Sequence, residues 1–90
     1  MKVSIIMSVY NAADGLENSI KSILSQTHEN FEFLICNDGS IDKTNAILKK
    51  YSQQDSRIKL YNNVKNIGLT KSLNILVNNS VGKVIARQDA

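Results

Sequence analysis

Hydrophobic and polar positions along the chain switch repeatedly between two periods. Residues 3–9 (VSIIMSV) are a short apolar, β-branched run with no turn residue before Asn11, the pattern of a strand buried on both faces. Leu16, Ile20, Ile23 and Leu24 then recur at i, i+4, i+7 and i+8, one apolar stripe on a helix ending near Gln26. Asp14 and Glu17 stand at capping-box spacing at its start. Residues 31–37 (FEFLICN) form a second apolar run, and Asp42 can cap a second helix whose stripe is Thr44, Ile47, Leu48 and Tyr51, with Lys49 and Lys50 on the other face. Residues 57–61 (RIKLY) alternate, as an edge strand does. Leu69, Leu73, Leu76 and Val77 repeat the stripe of the first helix, with Gly82 beyond them as a stop signal, and residues 83–87 read as a fourth short strand.

The predicted order β-α-β-α-β-α-β calls for right-handed crossovers and a largely parallel sheet between helical layers. If the chain steps outward through strands 1, 2 and 3 and returns through the polar loop at 62–66, strand 4 lies beside strand 1. The order is then 3-2-1-4. Strand order reverses between strands 1 and 4, and the crevice outside the carboxyl ends there is where such sheets bind ligands. Three strand ends converge on it: 8–11, 37–40 and 87–90. The turn Asn37-Asp38-Gly39-Ser40 is by itself ordinary turn and cap composition, so Asp38 gains interest only from that convergence.

Composition narrows the classes. Ninety residues make one small domain, 1–90, and 42% apolar with 21% charged residues is globular composition. No apolar run is long enough for a membrane span, and the N-terminus lacks the three-part pattern of a signal peptide, so an intracellular, cytoplasmic protein is expected. The single cysteine, Cys36, reads as a buried core thiol, and His28 as a solvent-facing loop residue. The net charge of +3 is spread along the chain without a basic cluster or stacking aromatics, which disfavours nucleic acid as a partner. No G-x-G-x-x-G follows the first strand. Residues 68–72 (GLTKS) lack the Gly-Lys pair of a P-loop, and no G-x-S-x-G elbow occurs.

Five stretches in order, 3–11 (VSIIMSVYN), 22–27 (SILSQT), 37–42 (NDGSID), 66–69 (NIGL) and 82–90 (GKVIARQDA), resemble the successive blocks of family 2 glycosyltransferases with the GT-A fold. The resemblance covers essentially the whole chain and implies a Rossmann-like three-layer α/β/α half of that fold. It also implies an inverting transfer from a nucleotide-diphospho-sugar, usually a UDP-sugar, with a divalent metal, Mg²⁺ or Mn²⁺. Residue by residue, it assigns Ser8, Val9, Tyr10 and Asn11 to the nucleoside, with Tyr10 packing on the base. Asp38 would accept from the uracil imide N–H. Gly68 and Lys71 would lie near the diphosphate, where free N–H groups at a helix start suit an anion, although Lys71 fits an ordinary solvated lysine equally well. Arg87 would face the diphosphate or the sugar, or else pair with a nearby carboxylate.

Asp89 matches the first position of the family's Asp-x-Asp metal motif, whose second aspartate has no counterpart before the last residue, Ala90. The expectation is therefore a nucleotide-binding half, inactive alone and weak or lacking in metal binding, whose catalytic base and acceptor site would lie downstream. The acceptor, a saccharide or lipid-linked glycan, is not assigned; an inner-membrane-face location is compatible. The alternative is a non-catalytic nucleotide-binding module, or one that self-associates through an exposed apolar strand 4.

Overall fold

The computed structural model describes residues 2–26 and 30–88; the expectations for His28 and for the metal ligand Asp89 fall outside them. Seven elements follow one another: β1 (Val3–Val9), α1 (Ala13–Leu24), β2 (Phe31–Asp38), α2 (Thr44–Gln54), β3 (Ile58–Asn63), α3 (Leu69–Asn79) and β4 (Val84–Arg87). All strand pairs are parallel and the sheet order is β3-β2-β1-β4, as the pattern predicts.

β2 is buried along its whole length, as a central strand covered on both faces must be. Its alternate residues divide the core. Phe31, Phe33 and Ile35 pack with Ile5, Met7 and Val9 of β1 under Leu16, Ile20 and Ile23 of α1 and Leu48 and Tyr51 of α2. Leu34 and Cys36 face the other way, with Ile6, against Leu76 of α3. Two helices thus cover one face and a single helix the other. Cys36 is a buried core thiol, and burial pushes its pKa up.

Several local expectations are corrected. The Asp14–Glu17 capping box does not form. Asp14 (φ −70°, ψ 122°) and Gly15 (φ 79°, ψ −8°) make a type II turn, and regular helix starts only after it. The backbone ahead of that turn is held from the next segment: Thr44 Oγ1 accepts from Ala12 N–H at 3.0 Å and Asp42 Oδ2 from Ala13 N–H at 3.4 Å. Glu17 instead accepts from the Tyr51 hydroxyl at 2.9 Å. α1 also stops at Leu24, short of Gln26.

Asp42 is not the N-cap of the second helix: that position is Lys43, and Asp42 makes an Asx turn just before it, its Oδ1 accepting from Thr44 N–H at 2.9 Å. β3 runs to Asn63 rather than Tyr61, because pairing with the extended end of β2 (Asn37↔Asn62, Asp38↔Asn63) draws two asparagines out of the loop and into the sheet. On α3 the buried positions are Ser72 and Leu76, while Leu69 and Val77, predicted for the same stripe, are exposed. The helix is turned by a polar contact, the Asn63 amide donating to Ser72 Oγ at 3.2 Å. Gly82 is not the helix stop. α3 ends at Ser80, and Gly82 lies so close to β1 that a Cβ there would sit 2.5 Å from Ser4 Oγ.

Candidate functional site

The loops after β1, β2 and β3 are tied to one another by side chain to backbone hydrogen bonds. Asn11, in the left-handed region at φ 49°, donates its N–H to Ser40 Oγ at 2.9 Å, and its side-chain Oδ1 accepts from Ile41 N–H at 2.9 Å. Asparagine tolerates this backbone better than other non-glycine residues. The loop after β2 folds on itself through Ser40 N–H donating to Asn37 Oδ1 at 3.2 Å. Gly39, at φ 74°, presses against the loop after β3: a Cβ would stand 2.5 Å from Asn66 N and 2.5 Å from the Lys65 carbonyl carbon.

Asp38 is the centre of this arrangement. It is 2% exposed, and its Oδ1 accepts from Asn63 Nδ2 at 2.9 Å and Ile67 N–H at 2.8 Å. Its Oδ2 accepts from Asn66 Nδ2 at 3.1 Å and Gly68 N–H at 3.0 Å. A carboxylate offers about four lone-pair sites, so these four donors fill it. Burial pushes the Asp38 pKa up, but the donors Ile67, Asn63 and Gly68 outweigh burial and hold the carboxyl below its usual range. Sequence reasoning sought free N–H groups around Gly68, at the start of α3. In the structure Gly68, the N-cap residue at φ 99°, gives its N–H to Asp38, so the anion nearest that helix end is the protein's own carboxylate.

The remaining predicted residues are distributed around this clamp. Ser8 is half-buried on β1, and Val9 is 2% exposed within the core, so it presents almost no surface to a ligand. The Tyr10 side chain, 51% exposed, stands at the rim, and Lys71 is exposed on the first turn of α3. Arg87 is exposed on β4 in register with Ile6, three residues short of the end of β1, so the β1/β4 crevice is floored below the rim. A polar recess of about 380 Å³ lies one strand away, lined by Asn37, Ser40, Asn45, Asn62, Asn63 and their neighbours, outside the predicted set. Among the described residues no group of three His, Cys, Asp or Glu side chains could hold a metal ion, and Asp89, which the family resemblance assigns to the metal, lies outside them.

One functional-looking residue escaped the sequence reading. Glu32, 1% exposed inside the apolar run, accepts from Ser4 Oγ at 2.6 Å, Val81 N–H at 2.7 Å and Lys59 Nζ at 2.8 Å. Burial pushes its pKa up, but Lys59, Ser4 and Val81 outweigh burial and lower it from 4.5 to about 2. The available signal was a lone charge within an otherwise apolar central strand, with a lysine on the alternating strand beside it that pairs with Leu34 and reaches Glu32 diagonally.

A parallel 3-2-1-4 sheet, with two helices on one face, one on the other and cross-tied loops at its carboxyl end, defines a Rossmann-like half of a GT-A fold. The solved structures that resemble it agree. A Staphylococcus aureus TarS fragment in complex with UDP-GlcNAc superposes with a TM-score of 0.90 at 26% identity, over 99% of this chain and 26% of that one. A Pyrobaculum calidifontis mannosyltransferase in complex with GDP-Man and Mn²⁺ gives 0.89 at 20% identity, covering 97% of this chain.

The chain belongs to glycosyl transferase family 2, whose family model matches residues 4–90. It is 46% identical over 88 residues to an uncharacterized glycosyltransferase of Haemophilus influenzae and 47% identical over 89 residues to the putative glycosyltransferase EpsE of Bacillus subtilis. It is 41% identical over 88 residues to the Escherichia coli UDP-Glc:alpha-D-GlcNAc-diphosphoundecaprenol beta-1,3-glucosyltransferase WfgD. The chain spans 27%, 32% and 34% of the lengths of these three relatives, and 98% of its own length is matched in each.

Proposed function

We propose that this chain is the nucleotide-binding half of an inverting glycosyltransferase, that it takes a UDP-sugar, and that it does not turn over by itself. The observation that carries the reading is the cross-tied rim at the carboxyl ends of β1, β2 and β3 in a member of this family, with the Tyr10 ring exposed at its edge as a stacking surface. In the complete reaction an acceptor hydroxyl attacks the anomeric carbon while the bond to the diphosphate oxygen breaks, and a base takes the hydroxyl proton. Ser8, Tyr10 and Asn11 contact the nucleoside, and Lys71 and Arg87 supply positive charge toward the diphosphate. Asp38 holds the β3–α3 loop in place and meets the uracil imide only by giving up one of its present donors.

No described helix is long and apolar enough to cross a membrane. An acceptor of the lipid-diphosphate class named for the WfgD relative would place the work in the cytoplasm, at the inner membrane face, in polysaccharide synthesis.

Amide shifts of the isotope-labelled chain during titration with UDP test this. Movement at Tyr10, Asn11, Lys71 and Arg87 is expected, and unmoved signals at millimolar UDP, or equal movement with a single-stranded oligonucleotide, would refute it. A second reading has its own observation. All four β4 residues are exposed, with Val84 at 43% and Ile85 at 45%, so the outer edge of β4 is open to pairing with a second copy. Concentration-dependent broadening confined to β4 would support that reading.

A further inference from the structure

β4 has four residues, all exposed, and pairs in parallel with β1. What fixes its entry is the turn after α3. Gly82 N–H donates to Ser4 Oγ at 2.8 Å, Ser4 Oγ donates to Glu32 Oε2 at 2.6 Å, and Val81 N–H donates to the same Oε2 at 2.7 Å. Lys83 N–H then joins Lys2 O at 3.0 Å to begin the ladder, and Gln88 N–H closes it on Ile6 O at 2.9 Å.

The close approach of Gly82 is obligatory. A Cβ there would meet Ser4 Oγ at 2.5 Å, Ser4 N at 2.6 Å and Lys2 O at 2.9 Å, and two of these three atoms are backbone. The two oxygens of Glu32 have separate tasks. Oε2 serves the β4 turn, and Oε1 takes the Lys59 ammonium on the far side, toward β3.

We propose that Ser4, Glu32 and Gly82 form a latch that sets β4 against β1, and that Glu32 is thereby a positioning residue that fixes where Arg87 enters the β1/β4 crevice. The latch is inferred from geometry alone; its link to ligand binding rests on the nucleotide-sugar reading above. The two variants that separate the tasks are Glu32→Leu, which removes both acceptors, and Glu32→Gln, which gives up the Lys59 ion pair but can leave a carbonyl oxygen where Oε2 stands.

Hydrogen exchange of the full chain reads the latch. In Glu32→Leu, protection at Lys83 and Gln88 is expected to fall about tenfold further than along the β1–β2 ladder, and in Glu32→Gln to stay within about threefold of the change along that ladder. UDP affinity should follow the same order, weakening roughly fivefold in Glu32→Leu and recovering in Glu32→Gln. A uniform loss of protection over all strands would overturn the latch, because it would make Glu32 a contributor to global stability only. Selective loosening of β4 with unchanged UDP affinity would overturn the positioning role. If the parent does not bind UDP, the ligand reading and the positioning role fail together, and the exchange pattern still decides the latch. Should Glu32→Leu not fold, Ser4→Ala removes the acceptor of Gly82 N–H, and the same selective loss at Lys83 and Gln88 is expected.

Discussion

Replacing Asp38 by asparagine leaves its size unchanged and removes half of its acceptor capacity. The carboxylate accepts from Asn63 and Ile67 on one oxygen and from Asn66 and Gly68 on the other. A carboxamide presents one oxygen and one NH₂, so in either orientation two donors face an NH₂ group. Asn66 is exposed and can turn to water, and Asn63 Nδ2 also reaches Ser72 Oγ, but the backbone N–H of Ile67 or of Gly68 is left without an acceptor. The lost charge-assisted bonds and one orphaned, poorly hydrated donor together cost about 2–4 kcal/mol. A ninety-residue chain has a total stability of roughly 5–13 kcal/mol, so this is a large fraction of it. Urea unfolding of Asp38→Asn followed by circular dichroism should show the loss as a lower midpoint at unchanged slope. Exchange at Ile67 and Gly68 should accelerate ahead of the β1–β2 ladder. A variant within about 0.5 kcal/mol of the parent that nevertheless loses UDP binding would refute the clamp and make Asp38 a direct ligand contact.

Two further predictions follow from the same geometry. The folded pKa of Glu32, about 2, lies below its ordinary 4.5, so its stabilisation is complete above pH 4.5 and is lost as pH falls from there through 2. Urea midpoints across pH 7 to 2 should show the parent ahead of Glu32→Gln by about 3 kcal/mol at neutral pH, with the gap closing in that window; a gap independent of pH would exclude the ion-paired Glu32. Gly39→Ala adds a Cβ at φ 74° that meets only backbone, at Asn66 N, Lys65 C and Lys65 Cα. It should cost about 2–4 kcal/mol by thermal unfolding, and a Tm within about 2 °C of the parent would show that the loop after β3 moves freely.

The seven elements were legible because each rests on local periodicity, period two or continuous burial for strands and 3.6 for helices, and the sheet order followed from their alternation and the crossover rule. What the pattern missed are contacts between segments distant in sequence. Thr44 and Asp42 hold the backbone of Ala12 and Ala13 across about thirty residues, so the Asp14–Glu17 spacing, a local signal, pointed to a box that a type II turn replaces. Glu32 was hidden by its apolar neighbours, and its partners Ser4, Lys59 and Val81 come from three other segments. The sequence points to a site where the strand ends 8–11, 37–40 and 87–90 converge at the β1/β4 crevice, whereas the loops that the structure ties together are those after β1, β2 and β3. The site was not legible as a set of occupied and open groups. No periodicity reveals that the N–H groups of Ile67 and Gly68 already have an acceptor.

The two buried carboxylates belong to one design. Glu32 and Asp38 lie on the same face of β2, six residues apart, which is about 20 Å along a strand. α3 covers that face, and its eleven residues span about 16 Å. Asp38 holds the chain as it enters α3, at Ile67 and Gly68, and Glu32 holds it as it leaves, at Val81 and, through Ser4, at Gly82. The helix buries only Ser72 and Leu76 fully, too little apolar surface to fix its placement alone, so the two acidic ends of β2 complete the docking. The first of these pins sets the start of α3, where Lys71 stands, and the second sets β4, where Arg87 stands. The two basic residues proposed to face the diphosphate are therefore positioned by a strand that carries neither of them.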